Sequence, residues 1–162
     1  MDHTGRVAIV TGAGSGIGRS ATEIIAANGG SVIAVDRSLD HLDWADGHEN
    51  VVAVAGDVST EQTNQAAVDA AIEHFGRLDA AVLNAGVSGS GDLIEQSMDD
   101  FDRSMAVNVR GVILGVRAAT RAMRNTSDGG AFCVTASTSG IRADPGMWTY
   151  NAAKGAVINY VR

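Results

Sequence analysis

The chain has 162 residues, 45% of them hydrophobic, with a formal net charge of −7 and an isoelectric point of about 4.9. That length supports one domain with a real core, and the acidic balance argues against a reader of phosphate backbones, so no nucleic-acid partner is expected. The apolar runs are too short to cross a bilayer and residues 1–5 carry neither the charge nor the apolar stretch of a signal peptide, so no membrane association is expected and the location is read as cytoplasmic.

The run Arg6-Val7-Ala8-Ile9-Val10 predicts a strand that feeds into residues 11–18, TGAGSGIG, and a helical pattern leaves them. In a strand, glycine turn and helix of this kind, Gly12, Gly16 and Gly18 strip side chains from the turn. Backbone N–H groups at the helix start can then approach a phosphate, where the positive end of the helix dipole also favours an anion. The spacing is G-x-x-x-G-x-G and not G-x-G-x-x-G, and alone it fits an ordinary strand-to-helix turn equally well. Ile17, Ala21, Ile24 and Ile25 recur at helical spacing and predict the buried face, which Asn28-Gly29-Gly30 ends. Val32-Ile33-Ala34-Val35 predicts a second strand ending at Asp36, 18 residues past Gly18, close to the ~20-residue offset at which a carboxylate meets an adenosine ribose.

Ser38 is expected to cap a short polar helix through Trp44, a surface-helix anchor. Residues 51–55 read as a buried strand ending at Gly56-Asp57-Val58. Ser59 and Gln62 form a predicted capping box for a helix whose buried face is Val68, Ile72 and Phe75, and Gly76 stops it. Residues 80–83 form a fourth strand delivering Asn84-Ala85-Gly86, and the Gly- and Ser-rich residues 87–95 form a loop. Ser97 with Asp100 opens one long helix carrying Phe101, Met105, Val109, Val112, Val116, Ala119 and Met123 at helical spacing. Residues 131–135 are a fifth strand, residues 139–147 a loop, and a last helix bears Tyr150 and Lys154. Cys133 is the only cysteine; it excludes an intrachain disulfide and is expected as a buried, inert thiol.

Helices alternating with continuously apolar strands predict an α/β fold: a doubly wound parallel sheet with right-handed crossovers and strand order 3-2-1-4-5, in one domain over residues 1–162. Ligands then gather at the carboxyl ends where the order reverses. Asp36, Asp57, Asn84 and Ser137 are all placed on that rim.

Together, TGxxxGxG at residues 11–18, Asn84-Ala85-Gly86 after the fourth strand, Asn108 in the long helix, Ser137, and Tyr150-x-x-x-Lys154 resemble the short-chain dehydrogenase/reductase family. Ser137 stands thirteen residues before Tyr150, the family's usual spacing, which selects it over its neighbour Ser139. The resemblance covers essentially the whole chain and implies a Rossmann-type dinucleotide-binding domain. Family members continue through two further strands and a substrate-covering helix, so the sequence is expected to be incomplete at its C-terminus. By the same resemblance Asn108, Ser137, Tyr150 and Lys154 are the catalytic set. Cofactor contacts are implied for Gly12, Ser15, Gly16, Ile17, Gly18, Asp36, Arg37, Asp57, Val58, Asn84, Ala85 and Gly86, and for Tyr150 and Lys154. Asp57 and Val58 would meet the adenine, residues 84–86 its ribose and the sheet, and Asn108 a water linking Lys154 to solvent. The long and last helices would form the interface of a homo-oligomer, dimer or tetramer, of the complete protein.

The chemistry has its own physical case. Tyr150 and Lys154 share one helix face, where an ammonium lowers the cost of ionising a phenol. A tyrosine acting as a base near neutrality needs a shift of about three units, roughly 4 kcal/mol, more than one exposed lysine supplies; partial burial and a cationic nicotinamide would add the rest. Ser137 has a hydroxyl suited to holding a substrate oxygen and the charge developing on it. Read singly, Tyr-x-x-x-Lys is also a chance surface pair, Ser137 a cap, and Asn108 a helix asparagine satisfying a backbone carbonyl. Asp36 accepts hydrogen bonds from ribose hydroxyls and repels a 2′-phosphate, which favours NAD over NADP, although Arg37 beside it is of the type that binds phosphate. His3, His41, His48 and His74 lack ligand spacing and are read as solvated positions, so no metal is implied. The expected activity is hydride transfer between NAD(H) and an alcohol or ketone. The alternative is a truncated, catalytically inactive nucleotide-binding fragment. Ser88, Arg142, Asp144, Met147 and Trp148 are candidates for the lip of a substrate pocket.

Overall fold

Runs of β-branched and small apolar residues form five strands in a computed structural model that describes residues 1–89, 91–127 and 129–162. These are β1 (Val7–Thr11), β2 (Ser31–Asp36), β3 (Val51–Ala55), β4 (Ala80–Leu83) and β5 (Ala131–Val134). Every neighbouring pair is parallel, and the order is β3-β2-β1-β4-β5. The reversal of order at β1 leaves a crevice at the carboxyl ends of β1 and β4. The expected Rossmann-type doubly wound sheet is therefore present. Ser90, inside the predicted loop of residues 87–95, lies outside the described residues.

Alternation along the strands divides the core between two faces. Val7, Ile9, Ile33, Val35, Ala81 and Leu83 point to one side, where they meet α2 (Glu61–Phe75) through Ala67, Val68 and Ala71 and the later helix α4 (Gly111–Thr126) through Val112, Ala119 and Met123. Val10, Val32, Ala34 and Val51 point to the other, against α1 (Gly16–Ala27) and the segment bearing Leu42, Trp44 and Ala45. Ile33, fully buried in the centre, contributes about 2–3 kcal/mol by its removal from water.

Local structure departs from expectation where packing overrode pattern. In α1 the sheet takes the side carrying Gly18 and Thr22, both buried, with Ala21 and Ile25 half-buried beside them, so that Ile17 and Ile24 face out at 68% and 60% exposure. The reason is the turn itself: a Cβ at Gly18 would overlap the carbonyl oxygen of Gly12, so this helix presses its smallest residues against the loop. Ser38 acts as the expected cap, accepting from the Asp40 N–H, but it heads two short 3₁₀ turns, Leu39–His41 and Asp43–Ala45, in place of one helix. The cap of α2 is Thr60, which accepts from the Thr63 N–H; Ser59 instead gives its own N–H to Asp57. Ser97 caps the next helix as expected, accepting the Asp100 N–H, and gives its hydroxyl to the Asp100 carboxylate.

The long helix is not one regular α-helix. It runs as α3 (Met98–Met105), a π-helical segment Ala106–Arg110, and α4. The widened segment contains Asn108, and such π insertions commonly mark functional sites. The chain closes with α5 (Trp148–Tyr160). Cys133 is exposed on β5, contrary to its expected burial, together with Ala131 and Phe132; β5 is the outermost strand of the sheet that the described residues form. Among the described residues no helix is long and apolar enough to cross a membrane, and no group of three or more His, Cys, Asp or Glu is placed to hold a metal ion.

Candidate functional site

A chain of hydrogen bonds ties the carboxyl ends of three strands to α5. The Thr11 hydroxyl, at the end of β1, accepts the N–H groups of Asn84 and Ala85 at 3.0 and 3.1 Å, while the Asn84 amide donates to the Thr11 carbonyl at 3.2 Å. The Thr135 hydroxyl donates to the Asn84 side-chain oxygen at 2.9 Å, and the Thr135 carbonyl accepts from Lys154 Nζ at 2.7 Å. Thr135 was not singled out from sequence. Its signal was a polar residue closing an apolar strand on the same rim as Asn84.

Around this spine two adjoining clefts open. The larger, about 760 Å³, is lined by Gly12, Ser15, Gly16, Ile17, Asp36, Asn84, Ala85 and Gly86, joined by Arg19, His41 and Trp44. The smaller, about 160 Å³, shares Gly12, Asp36, Ala85 and Gly86 and adds Arg37, Asp57 and Val58. Gly18 does not line either cleft; it fixes the turn from beneath. Eleven of the fourteen residues expected to contact a cofactor line these two clefts; Gly18, Tyr150 and Lys154 do not. Ser15 caps α1 without a side-chain hydrogen bond and the first turn of α1 holds no acidic residue, so the amides there face the cleft end as uncompensated donors suited to an anion. This donor set, the missing Cβ atoms and the volume of the larger cleft fit a dinucleotide.

Asp36 sits at the heart of the crevice. Its Oδ2 accepts the Gly14 N–H at 2.9 Å, and its Oδ1 accepts the Arg37 N–H at 2.8 Å and meets His41 Nδ1 at 2.7 Å. Partial burial opposes its charge, but the hydrogen bonds from His41, Gly14 and Arg37 outweigh that and hold the carboxyl below its ordinary range. His41, read from sequence as a solvated position, is therefore a member of this site. Trp44 is also more than a surface anchor: it is half-buried, lines the larger cleft, and carries the Arg19 guanidinium 5.0 Å from its ring centre.

The expected catalytic residues lie on the neighbouring ground. Lys154 is 3% exposed, and its Nζ is 5.5 Å from the centre of the Tyr150 ring. Burial alone pushes the Lys154 ammonium's pKa down. Ser137 begins the turn Thr138–Gly140, which packs on α5, and its hydroxyl accepts from the Ser139 N–H at 3.1 Å. Ser139 is buried and gives its hydroxyl to Asp144. Asn108 is fully buried; its amide donates to the Val87 carbonyl and to Ser104, and its oxygen accepts from the Val87 N–H. Gly86 wedges the two regions together, since a Cβ there would lie 2.8 Å from Asn108 Oδ1 and 3.7 Å from Lys154 Nζ. Of the lip candidates, Asp144 is tied by backbone hydrogen bonds to the Asn151 amide, whereas Ser88 and Arg142 are exposed and Trp148 is 39% exposed.

The model of the short chain dehydrogenase family matches residues 6–162. The chain belongs to the short-chain dehydrogenase family. Among the relatives of this short-chain dehydrogenase chain is the 2-(R)-hydroxypropyl-CoM dehydrogenase of Xanthobacter autotrophicus, 38% identical over 97% of the chain and 66% of the relative. Another is the levodione reductase of Leifsonia aquatica, 35% identical over 98% of the chain and 62% of the relative. A short-chain dehydrogenase/reductase of Burkholderia phymatum, solved in complex with NAD, superposes with a TM-score of 0.92 at 37% identity, covering 99% of this chain and 59% of that one. The chain spans less than two thirds of the length of each of these proteins.

Proposed function

We propose that residues 1–162 form one dinucleotide-binding domain carrying the catalytic residues of an NAD-dependent alcohol dehydrogenase or ketone reductase. The observation that carries the reading is the buried Lys154 ammonium beside the Tyr150 ring, next to a glycine-turn crevice whose ribose end is marked by a carboxylate. A bound nicotinamide dinucleotide supplies the hydride acceptor or donor. Gly12, Ser15, Gly16 and Ile17, with Gly18 shaping the turn, would hold its pyrophosphate, Asp36 and Arg37 its adenosine ribose, and Asp57 and Val58 its adenine, with Asn84, Ala85 and Gly86 as the floor.

In the oxidation direction the Tyr150 oxygen takes the proton of the substrate alcohol. In reduction it returns that proton to the carbonyl oxygen. Ser137 donates a hydrogen bond to the same oxygen and steadies the charge that develops on it. Lys154, buried beside the Tyr150 ring, acts on the site through a medium that screens its charge less than water does. Lys154 also orients the cofactor. Asn108 serves the relay from Lys154 to solvent and, through both its bonds to Val87, keeps the floor residues under the ammonium. A homo-oligomeric protein, dimer or tetramer, built on the α3–α4 and α5 surfaces completes the reading; a small alcohol or ketone is its substrate, and NAD is preferred to NADP.

The test is an NAD⁺ titration by calorimetry followed by NADH formation from a panel of secondary alcohols. Saturable NAD⁺ binding that Asp36→Ala weakens supports the reading; absence of any nucleotide binding sinks it.

A further inference from the structure

His41 occupies a position that no ribose-recognising carboxylate requires. Its Cβ lies where a Cβ on Gly14 would come within 2.7 Å, and its Nδ1 is 2.7 Å from Asp36 Oδ1. The ring is thus clamped between the glycine turn and the carboxylate, with half of its side chain exposed to the larger cleft. An ionised carboxylate accepts only, so Nδ1 carries the hydrogen and Nε2 is the atom that gains or loses a proton.

The charges that face His41 are mixed. Asp36 comes from the end of β2, Arg37 and Asp40 from the same turn, and Arg19 from the first turns of α1; Asp57, at the end of β3, faces Arg37. With His41 neutral, Asp36 presents a full negative charge at the ribose hydroxyls. With His41 protonated, the Asp36–His41 pair is neutral, the charges of Arg19 and Arg37 offset those of Asp40 and Asp57, and the subsite no longer carries a net negative charge.

Resting on the dinucleotide reading above, we infer that His41 is a specificity-determining residue of the adenosine-ribose subsite: its protonation cancels the charge of Asp36 and lets the subsite accept a 2′-phosphate that it otherwise repels. Discrimination between NAD⁺ and NADP⁺ is then a function of pH, weak in mildly acidic solution and strong in mildly alkaline solution. A permanent cation at this position would remove that dependence, as would a neutral side chain, with opposite outcomes.

The experiment measures dissociation constants of NAD⁺ and NADP⁺ by calorimetry at pH 6 and pH 8 for the unaltered chain, His41→Gln and His41→Arg. The preference for NAD⁺ should fall about fivefold from pH 8 to pH 6 in the unaltered chain, the scale of one exposed charge pair. It should stay high in His41→Gln and low in His41→Arg. The 2′-phosphate itself takes up a proton in this range, so the part of the pH dependence that belongs to His41 is the difference between the unaltered chain and His41→Gln. An identical pH dependence in the unaltered chain and His41→Gln overturns the role of His41 while leaving the dinucleotide site standing. Failure of all three proteins to bind either nucleotide overturns both.

Discussion

Lys154 donates a 2.7 Å hydrogen bond to the backbone carbonyl of Thr135, so the ammonium on α5 is held at the carboxyl end of β5. This bond commits one of three ammonium donors to a fixed partner and orients the rest of the head group beside Tyr150. It also continues, through the Thr135 hydroxyl and Asn84, to Thr11 before the glycine turn. Displacing any member of the chain shifts the catalytic candidates relative to the crevice.

Tyr150→Phe removes the hydroxyl while keeping the ring against Lys154. Turnover should fall by about 10²–10⁴-fold, the usual worth of a positioned proton donor or acceptor, with NAD⁺ affinity nearly unchanged. Steady-state kinetics paired with an NAD⁺ titration on the catalytically competent protein checks both halves; near-normal turnover would remove Tyr150 from the mechanism.

Replacing Asp36 with Ala deletes the acceptor proposed for the ribose and also the anchor of the Gly14 N–H. NAD⁺ binding should weaken roughly tenfold or more, the scale of a lost hydrogen bond to a charged group, and the preference over NADP⁺ should shrink. If the unaltered protein binds NADP⁺ more tightly than NAD⁺ at neutral pH, the assignment of Asp36 is wrong.

Gly140 touches α5 so closely that a Cβ there would sit 2.6 Å from the Lys154 carbonyl carbon. Backbone cannot yield as a flexible side chain can, so Gly140→Ala should push the Ser137 turn away from α5. A misplacement of that kind costs about 10–100-fold in kcat, while NAD⁺ affinity, set across the crevice, changes little. Equal losses in both would mean that the substitution disturbs the whole fold.

Asp79 lies at the opposite end of the sheet. Burial works against its charge, but the Arg77 guanidinium, the Val7 N–H and the Arg6 guanidinium, all bonded to it, hold its pKa at about 2. A folded-state pKa below the unfolded value of about 3.9 gives stability that is present above about pH 4 and is lost as pH falls towards 2. Asp79→Asn should therefore cost about 1–3 kcal/mol near neutrality, and the gap to the unaltered chain should close on acidification. Urea unfolding at pH 7 and pH 3 measures it; a gap constant with pH would contradict the charge argument.

The open edge of β5 carries Phe132, 39% exposed, and Cys133, also exposed. Unpaired backbone groups beside apolar side chains template strand pairing, so the polypeptide of residues 1–162 should self-associate, and Phe132→Lys should reduce this in size-exclusion chromatography under reducing conditions. A monodisperse monomer before substitution would refute it.

The sheet and its strand order were legible because they depend on short-range pattern and on the handedness of each crossover, and the positions of Asp36, Asn84 and the glycine turn at strand ends come from the same punctuation. The Ser97 cap was legible because a capping box lies within four successive residues. Tertiary structure decided the rest. Ile17 and Ile24 carry the helical spacing of a buried face, yet the close approach of Gly18 to Gly12 turns α1 the other way. Cys133 reads as core, yet its strand is an edge, which depends on what lies beside it in space. The burial of Lys154 requires β5 and α5 to meet, and the pairing of His41 with Asp36 requires a 3₁₀ turn to fold back onto the glycine loop. Neither contact leaves a periodic trace in the chain, because each joins side chains whose spacing is set by packing and not by repeat.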